Sequence, residues 1–175
     1  VNCIDRHLPS KADETAIIWE SDDPSVHKKI SYAELYDNVC KLANVYKSLG
    51  ISKGDRIVLY MPMIPQAAYA ILASARIGAI HSIVFAGFSP EALSSRIKDC
   101  GAKLVVTADE APRGGKNTPL KVNVDEALSI SGDVTTLIVE HTGAKVQMKP
   151  GRDHSYIGCM EEAKNECLPE PMMAE

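Results

Sequence analysis

The chain has 175 residues, of which 45% are hydrophobic and 24% are charged, and its formal net charge is −4. This length and apolar content suit one buried core in one domain. The balanced charge argues against an intrinsically disordered chain and against a nucleic-acid partner. No apolar run approaches the roughly 18 residues that a membrane span needs, so we expect no membrane partner.

The cysteines predict a reducing compartment, because they are five in number and irregularly spaced, unlike a disulfide framework or a zinc module. Cys159, Cys167 and His154 could be imagined as metal ligands, but their spacing matches no common zinc pattern. Packed or solvated thiols are the better interpretation. Residues 1–7 show neither an initiator Met nor a basic-then-apolar leader. We therefore expect a cytoplasmic protein that something precedes in the natural chain, with no metal site.

The first part of the chain predicts two strands and a capped helix. Residues 16–20 form an apolar run that predicts a strand, and a shorter strand is expected at residues 29–30. Ser31 and Glu34 form a capping box, because each side chain can bind the other residue's backbone amide. Apolar residues then recur at steps of three and four until Gly50 supplies a left-handed stop. A helix is therefore expected between Ser31 and Gly50.

Two units of strand followed by helix come next. Residues 57–61 are apolar without alternation, as in a central parallel strand that is buried on both faces. Pro65 fits the first position of the following helix. A second strand is expected at residues 81–85, after which Ser89 and Pro90 predict the start of another helix.

The remaining elements complete a predicted α/β fold. Residues 103–107 and 136–139 predict strands, and residues 122–130 predict a helix between them. The alternation of short apolar runs with amphipathic ones from residue 16 to residue 140 is typical of βαβ units. We therefore expect a mostly parallel sheet with crossover helices.

The character of the sequence changes after Gly143. The following residues are polar and unperiodic, apart from a short helix candidate at residues 156–166. Such a segment cannot form its own core. We therefore assign residues 1–143 to an α/β portion and residues 144–175 to an irregular connecting segment.

Two loops that directly follow predicted strands are the best places for a ligand, because ligands of open α/β sheets bind where strands end. In the first loop, at residues 86–88, Gly87 lets a ligand approach the backbone. The helix start that follows offers free amide donors. A tight turn would explain this glycine equally well.

The second loop carries two cations around a pair of glycines. Arg113 and Lys116 flank Gly114 and Gly115, so that both side chains and bare backbone amides can converge on one anion, for which phosphate is the natural candidate. A solvated basic loop is an equally good explanation from these residues alone. The loop is not a Walker A motif, and the chain lacks the dinucleotide-binding, nucleophile-elbow and metalloprotease motifs. Dehydrogenase, hydrolase and metalloprotease functions therefore lose support.

No acid–base pair is predicted. His81 lies in a largely apolar run and is interpreted as a hydrogen-bonded core histidine. His141, after the last predicted strand, is a lone candidate. Asp109 and Glu110 are interpreted as turn and cap residues, because adjacent side chains after a strand diverge.

Several motifs together resemble the opening of the adenylate-forming ligases. They stand in matching order at residues 30–35, 53–57, 60–65 and 75–79. Three further stretches narrow the resemblance to the acetyl-CoA synthetase branch of short-chain acyl-CoA synthetases: residues 81–89, 113–116 and 119–121. The resemblance covers the whole chain.

The resemblance implies that the chain is part of the N-terminal domain of an AMP-forming acid–CoA ligase. Such an enzyme converts acetate, ATP with Mg, and CoA to acetyl-CoA, AMP and pyrophosphate through acetyl-AMP. The family's phosphate-binding loop, acid pocket and C-terminal domain match nothing in this chain. The resemblance therefore implies no catalytic residue, no metal ligand and no tightly bound cofactor in this segment, which is expected to be inactive without the remainder of the enzyme.

The resemblance also assigns binding residues. Gly87 is expected to approach the CoA nucleotide, and Arg113, Gly114, Gly115 and Lys116 are expected to hold the CoA phosphates, the 3′-phosphate foremost. At the position of Lys116 the family often has Arg. The ammonium group of Lys116 is a compact charge and cannot form the two parallel hydrogen bonds of a planar guanidinium. Two alternatives stay open: the same region of a propionyl-CoA or other short-chain acyl-CoA synthetase, and a non-catalytic nucleotide-binding module.

Overall fold

The computed structural model describes residues 1–173. After a short 3-10 helix at Asp5–His7, the α-helices are α1 (Leu8–Lys11), α2 (Tyr32–Ser48), α3 (Pro65–Arg76), α4 (Pro90–Cys100), α5 (Leu120–Ser131) and α6 (Tyr156–Glu162). The strands are β1 (Thr15–Glu20), β2 (His27–Ser31), β3 (Arg56–Tyr60), β4 (Ile80–Ile83), β5 (Leu104–Ala108), β6 (Ala111–Arg113), β7 (Lys116–Thr118), β8 (Thr135–Val139) and β9 (Asp153–Ser155).

A parallel sheet organises the molecule and confirms the predicted α/β class. Its strand order is β4-β3-β5-β8-β9, and every neighbouring pair in it is parallel. The strand expected at residues 57–61 corresponds to β3, which pairs with β4 on one side and β5 on the other. Its side chains from Ile57 to Tyr60 are almost fully buried, which explains why the sequence shows no alternation there.

The helices cover the sheet in two groups: α2 contacts α3 and α6, whereas α4 contacts α5. The chain runs from β3 to β4 in one direction along the sheet and then from β4 to β5 and β8 in the other. Because crossover connections are right-handed, this reversal puts α3 on one face and α4 and α5 on the opposite face. The two groups are therefore the two outer layers of the fold.

The helix starts that the sequence predicts are confirmed. The Glu34 amide donates to the Ser31 hydroxyl at 3.2 Å, and the Ser31 amide donates to the Glu34 carboxylate at 2.8 Å. Pro65 and Pro90 open α3 and α4. The Ser89 hydroxyl accepts the amide that lies three residues later, at 3.4 Å. Local capping chemistry thus fixes where the helices begin.

The first predicted strand exists but does not join the main sheet. Strand β1 pairs antiparallel with β2 in a separate two-stranded sheet. The short connection at residues 21–26 explains this pairing, since a parallel crossover needs about a dozen residues or more.

The segment after Gly143 is not irregular throughout. Strand β9 pairs in parallel with β8 and extends the main sheet, and α6 follows it but ends at Glu162, before the expected residue 166. Strand β9 is short and polar, so hydrophobic periodicity could not reveal it. Ionic contacts hold it instead: the Asp153 carboxylate lies 2.9 Å from the buried Lys121 Nζ. The domain boundary at Gly143 stays a prediction.

All five cysteines are free thiols, and Cys40 and Cys167 are buried. Between residues 1 and 173, no helix has the length and apolarity required to cross a bilayer.

Candidate functional site

The two loops singled out in the sequence lie at the same edge of the parallel sheet. The β4–α4 loop (residues 84–89) follows the carboxyl end of β4, and the β6–β7 hairpin (residues 111–118) follows β5. Strand β3 lies between β4 and β5, and its chain leaves toward α3 on the other face. Connections that diverge to opposite faces open a crevice at the carboxyl ends of the strands, where α/β folds bind ligands.

The hairpin brings its two cations side by side. Arg113 and Lys116 are directly paired across the antiparallel strands β6 and β7. The turn between them consists of Gly114 with φ +57° and Gly115 with φ +75°. A two-residue turn with two positive φ values strongly favours glycine at both positions. The glycines therefore make possible a turn tight enough to hold the two cations opposite each other.

Both cations are available to a ligand in the described part of the chain. Arg113 and Lys116 are exposed, and neither forms an ion pair with any residue from 1 to 173. The Gly114 amide, however, is not free: it donates to the Asp22 carboxylate at 3.1 Å. The turn thus already binds one anionic group, which is supplied by the connection between β1 and β2.

Gly87 allows close packing of a neighbouring ring and does not form a left-handed turn. Its φ lies outside the positive region occupied by other glycines of the chain. A Cβ atom at Gly87 would lie 2.5 Å from Cε1 of Phe85, a distance that real Cβ atoms do not tolerate. The glycine therefore lets the Phe85 ring lie directly against the backbone of the loop.

Phe85 connects the two loops. The guanidinium carbon of Arg113 lies 5.2 Å from the centroid of the Phe85 ring, within the range of a cation–π contact. The Phe88 ring meets Phe85 edge-on with centroids 6.0 Å apart. Phe85 and Phe88 are 53% and 43% exposed, so the two rings present apolar surface next to the Arg113 cation. This role of Phe85 could not be expected from its sequence position, which predicted an ordinary strand residue.

Tyr60 and Asn123, neither of which was predicted as a site residue, hold the β4–α4 loop by hydrogen bonds. The Tyr60 hydroxyl donates to the carbonyl of Phe88 at 2.8 Å and lies 3.1 Å from the carbonyl of Ala86. The Asn123 side-chain amide donates to the same hydroxyl at 3.2 Å. Burial raises the pKa of Tyr60, although the Asn123 contact opposes that rise. A tyrosine at the end of an otherwise apolar strand was the available signal, because a buried hydroxyl needs partners.

Asp109 ties the hairpin to the loop that follows β8. The carboxylate is buried, with the residue 1% exposed, and it is surrounded by backbone amides. They donate from Glu110 at 2.7 Å, His141 at 3.0 Å, Thr142 at 3.0 Å, Gly143 at 2.9 Å and Ala144 at 3.2 Å. Burial alone would raise the pKa of Asp109, but these amides outweigh it and hold the pKa below its ordinary value. Asp109 is a turn residue, as predicted, and fixes the base of the hairpin.

The remaining candidates do not join this site. His81 is half-buried on the edge strand β4, so the prediction of a core histidine is wrong: no strand covers the outer side of β4 in the described sheet. His141 lines a separate cavity of about 220 Å³ with Trp19 and Tyr156 among its walls. Among residues 1–173, no group of three or more His, Cys, Asp or Glu side chains could hold a metal ion.

Comparisons with known proteins agree with this architecture. A family model described as "AMP-binding enzyme" matches residues 4–168. An acetyl-coenzyme A synthetase of Methylorubrum extorquens is 55% identical over 178 residues, which cover 100% of this chain and 27% of that protein. An acetyl-coenzyme A synthetase of Mesorhizobium japonicum is 57% identical over 179 residues, which cover 99% of this chain and 28% of that protein.

The fold has a counterpart among solved structures. The Brucella canis acyl-CoA synthetase superposes with a TM-score of 0.78 at 26% identity, covering 96% of this chain and 28% of that chain. This chain spans only 27% of the length of the Methylorubrum extorquens relative. Because the family model covers nearly the whole sequence, the chain belongs to the AMP-binding enzyme family.

Proposed function

We propose that this chain is the N-terminal part of an acetate–CoA ligase, which converts acetate, ATP and CoA to acetyl-CoA, AMP and pyrophosphate through acetyl-AMP. Its relatives of 55% and 57% identity are named acetyl-coenzyme A synthetases. In this proposal the chain contributes the binding surface for the nucleotide phosphates of CoA. Acetate and ATP with Mg bind to parts of the complete enzyme that this chain does not contain, so the chain is inactive alone.

One observation carries the proposal: Arg113 lies over Phe85 at 5.2 Å, next to Gly87 and at the carboxyl edge of the sheet. This arrangement combines an exposed cation, a second cation at Lys116 and an exposed aromatic surface. CoA carries both of the features that such a surface recognises, namely phosphate groups and a purine ring. The hairpin is therefore assigned to the phosphates, the 3′-phosphate in particular, and the β4–α4 loop to the nucleotide.

The two cations have different tasks in this assignment. The planar guanidinium of Arg113 can grip a phosphate with two parallel hydrogen bonds, whereas Lys116 supplies a compact charge on a flexible stem. A hydrogen bond to a charged group contributes about 1.5 to 3 kcal/mol when it is partly shielded from water. Because both side chains are exposed before CoA binds, we expect the lower end of this range.

The order of the two half-reactions provides the test. CoA enters only after acetyl-AMP has formed, so an interaction confined to CoA cannot slow adenylation. In the complete ligase, Arg113→Ala should raise the KM for CoA about tenfold, which corresponds to about 1.4 kcal/mol. Acetate-dependent exchange between ATP and pyrophosphate should stay nearly intact. An equal loss in both half-reactions would contradict the proposal, and exchange that runs faster with propionate than with acetate would reassign the acid.

A further inference from the structure

We infer that Tyr60, held by Asn123, is a positioning residue for CoA: its hydroxyl fixes the backbone on both sides of Gly87 in the conformation that receives the nucleotide. This inference rests on the proposed function, because it concerns the same surface. It adds a part of the site that never touches the ligand.

Tyr60 is rigidly placed. It is the last residue of β3, which pairs with strands on both of its sides, and its exposed fraction is 0%. The ring therefore cannot follow movements of the loops above it. A side chain locked in this way can transmit the position of the sheet to a loop.

The Tyr60 hydroxyl lies within hydrogen-bonding distance of both carbonyls that flank Gly87. It lies 2.8 Å from the Phe88 oxygen and 3.1 Å from the Ala86 oxygen, so its one proton is shared between them. At the start of the loop, the buried Val84 donates its amide to the Leu59 carbonyl at 2.9 Å, and farther on the Phe88 amide donates to the Phe85 carbonyl at 2.9 Å. Between residues 86 and 88, the described hydrogen bonds that link the loop to the sheet are those of the Tyr60 hydroxyl.

Asn123 sets the direction of this hydrogen bond. Its side-chain amide donates to the Tyr60 oxygen at 3.2 Å, so the hydroxyl proton is left to point at the loop carbonyls. Asn123 belongs to the first turn of α5, which follows the hairpin that carries Arg113. The Asn123–Tyr60 pair therefore connects the helix that follows the cation-bearing hairpin to the loop that carries Gly87. A loop held in its bound conformation loses less entropy when the ligand arrives.

The experiment uses the complete ligase with Tyr60→Phe, Asn123→Ala and the double variant. Tyr60→Phe should raise the KM for CoA about three- to tenfold, the effect expected for one hydrogen bond. The exchange between ATP and pyrophosphate should change less than about twofold. Asn123→Ala should shift the same KM in the same direction, and the double variant should be no worse than Tyr60→Phe, since both changes act through one hydroxyl.

Tyr156→Phe is the matched control. Tyr156 is also buried, but its hydroxyl has no hydrogen-bond partner in the described part of the chain. Its removal should leave the KM for CoA unchanged. A purely structural role for Tyr60 would instead lower the thermal midpoint and reduce both half-reactions together.

The outcomes separate this inference from the proposed function. If Arg113→Ala raises the KM for CoA and Tyr60→Phe does not, or if Tyr60→Phe impairs both half-reactions equally, the positioning role is overturned and the CoA surface stands. If Arg113→Ala also leaves the KM for CoA at the wild-type value, the proposed function fails, and the inference that rests on it fails with it.

Discussion

The Arg113 guanidinium lies over the Phe85 ring, with 5.2 Å between its carbon and the ring centroid. The two residues belong to loops that follow different strands of the parallel sheet, on either side of β3. Their contact makes one continuous surface out of the β4–α4 loop and the β6–β7 hairpin. Because Phe85 also fills the space that Gly87 leaves open, a change at the glycine should reach the arginine.

Gly87→Ala should weaken CoA binding through Phe85. A Cβ atom at this position would lie 2.5 Å from the Phe85 ring, so the ring must move and its contact with Arg113 must loosen. We expect the KM for CoA in the complete ligase to rise about tenfold, comparable with loss of one charged contact. Steady-state kinetics at saturating acetate and ATP measure this change.

Gly158→Ala provides the control for that variant. A Cβ atom at Gly158 would approach nothing closer than the Ser155 side chain at 3.7 Å, which is an ordinary contact. This glycine lies in α6, where alanine is also the better helix former. The control should keep the wild-type KM for CoA. Equal effects of the two substitutions would mean that Gly87 has no special relationship with Phe85.

Asp22→Ala should improve CoA binding. The Asp22 carboxylate accepts the Gly114 amide at 3.1 Å and places a negative charge beside the two cations. Its removal frees a backbone donor and removes repulsion toward phosphate. We expect the KM for CoA to fall about two- to fivefold at low ionic strength, and the gain to shrink in about 1 M salt, where charges are screened within about 3 Å.

The exposed Asp99, in α4, offers a variant with the same change of net charge. Asp99→Ala should leave the KM for CoA within experimental error. If both variants lower the KM alike, the gain comes from net charge alone, and Asp22 has no particular influence on the hairpin.

Much of the fold could be predicted from the sequence because its signals are local. The capping box at Ser31, the prolines that open α3 and α4, and the unbroken apolar run of β3 depend on near neighbours in the chain. Strand β9 could not be predicted, since it is polar and is held by ion pairs with distant residues such as Lys121. The sequence also does not show that β4 is an edge strand of the sheet. The predicted burial of His81 was therefore too high.

The candidate site was predictable in part. Arg113, Lys116 and the glycine pair stand out by residue type, and the tight hairpin explains them. The interpretation of Gly87 needed the structure, because the sequence does not show that the Phe85 ring, two residues earlier in the loop, folds back against this glycine. Tyr60 is separated from the loop that it binds by a whole helix and strand. Such long-range partners leave no pattern in a single sequence.

The stability of the β8–β9 region should depend on pH. Burial pushes the pKa of Asp153 upward, but contacts with Arg152, the Lys149 amide and Lys121 outweigh it and bring the pKa to about 2, from 3.8 for a free side chain. The stabilisation that comes from a lowered folded-state pKa is fully present above about pH 4, and it is lost as the pH falls toward 2. The ionised carboxylate therefore contributes about 2 kcal/mol near neutral pH.

Denaturant unfolding of the complete enzyme and its Asp153→Asn variant measures this contribution. The difference in unfolding free energy should be constant from about pH 7 to pH 5 and should shrink below about pH 4. The exposed Asp13 supplies the comparison, because Asp13→Asn should show no such trend. A difference that grows as the pH falls would have the wrong sign for a carboxylate with a lowered pKa.

We propose that Arg113 and Lys116 hold the 3′-phosphate of CoA, and the most direct measurement compares CoA with dephospho-CoA, which lacks only that group. The wild-type ligase should have a KM for CoA about tenfold or more below that for dephospho-CoA. In the Arg113→Ala, Lys116→Ala double variant the two KM values should converge, because the KM for CoA rises while that for dephospho-CoA barely moves. A preference for CoA that survives in the double variant would contradict the assignment of the hairpin to this phosphate.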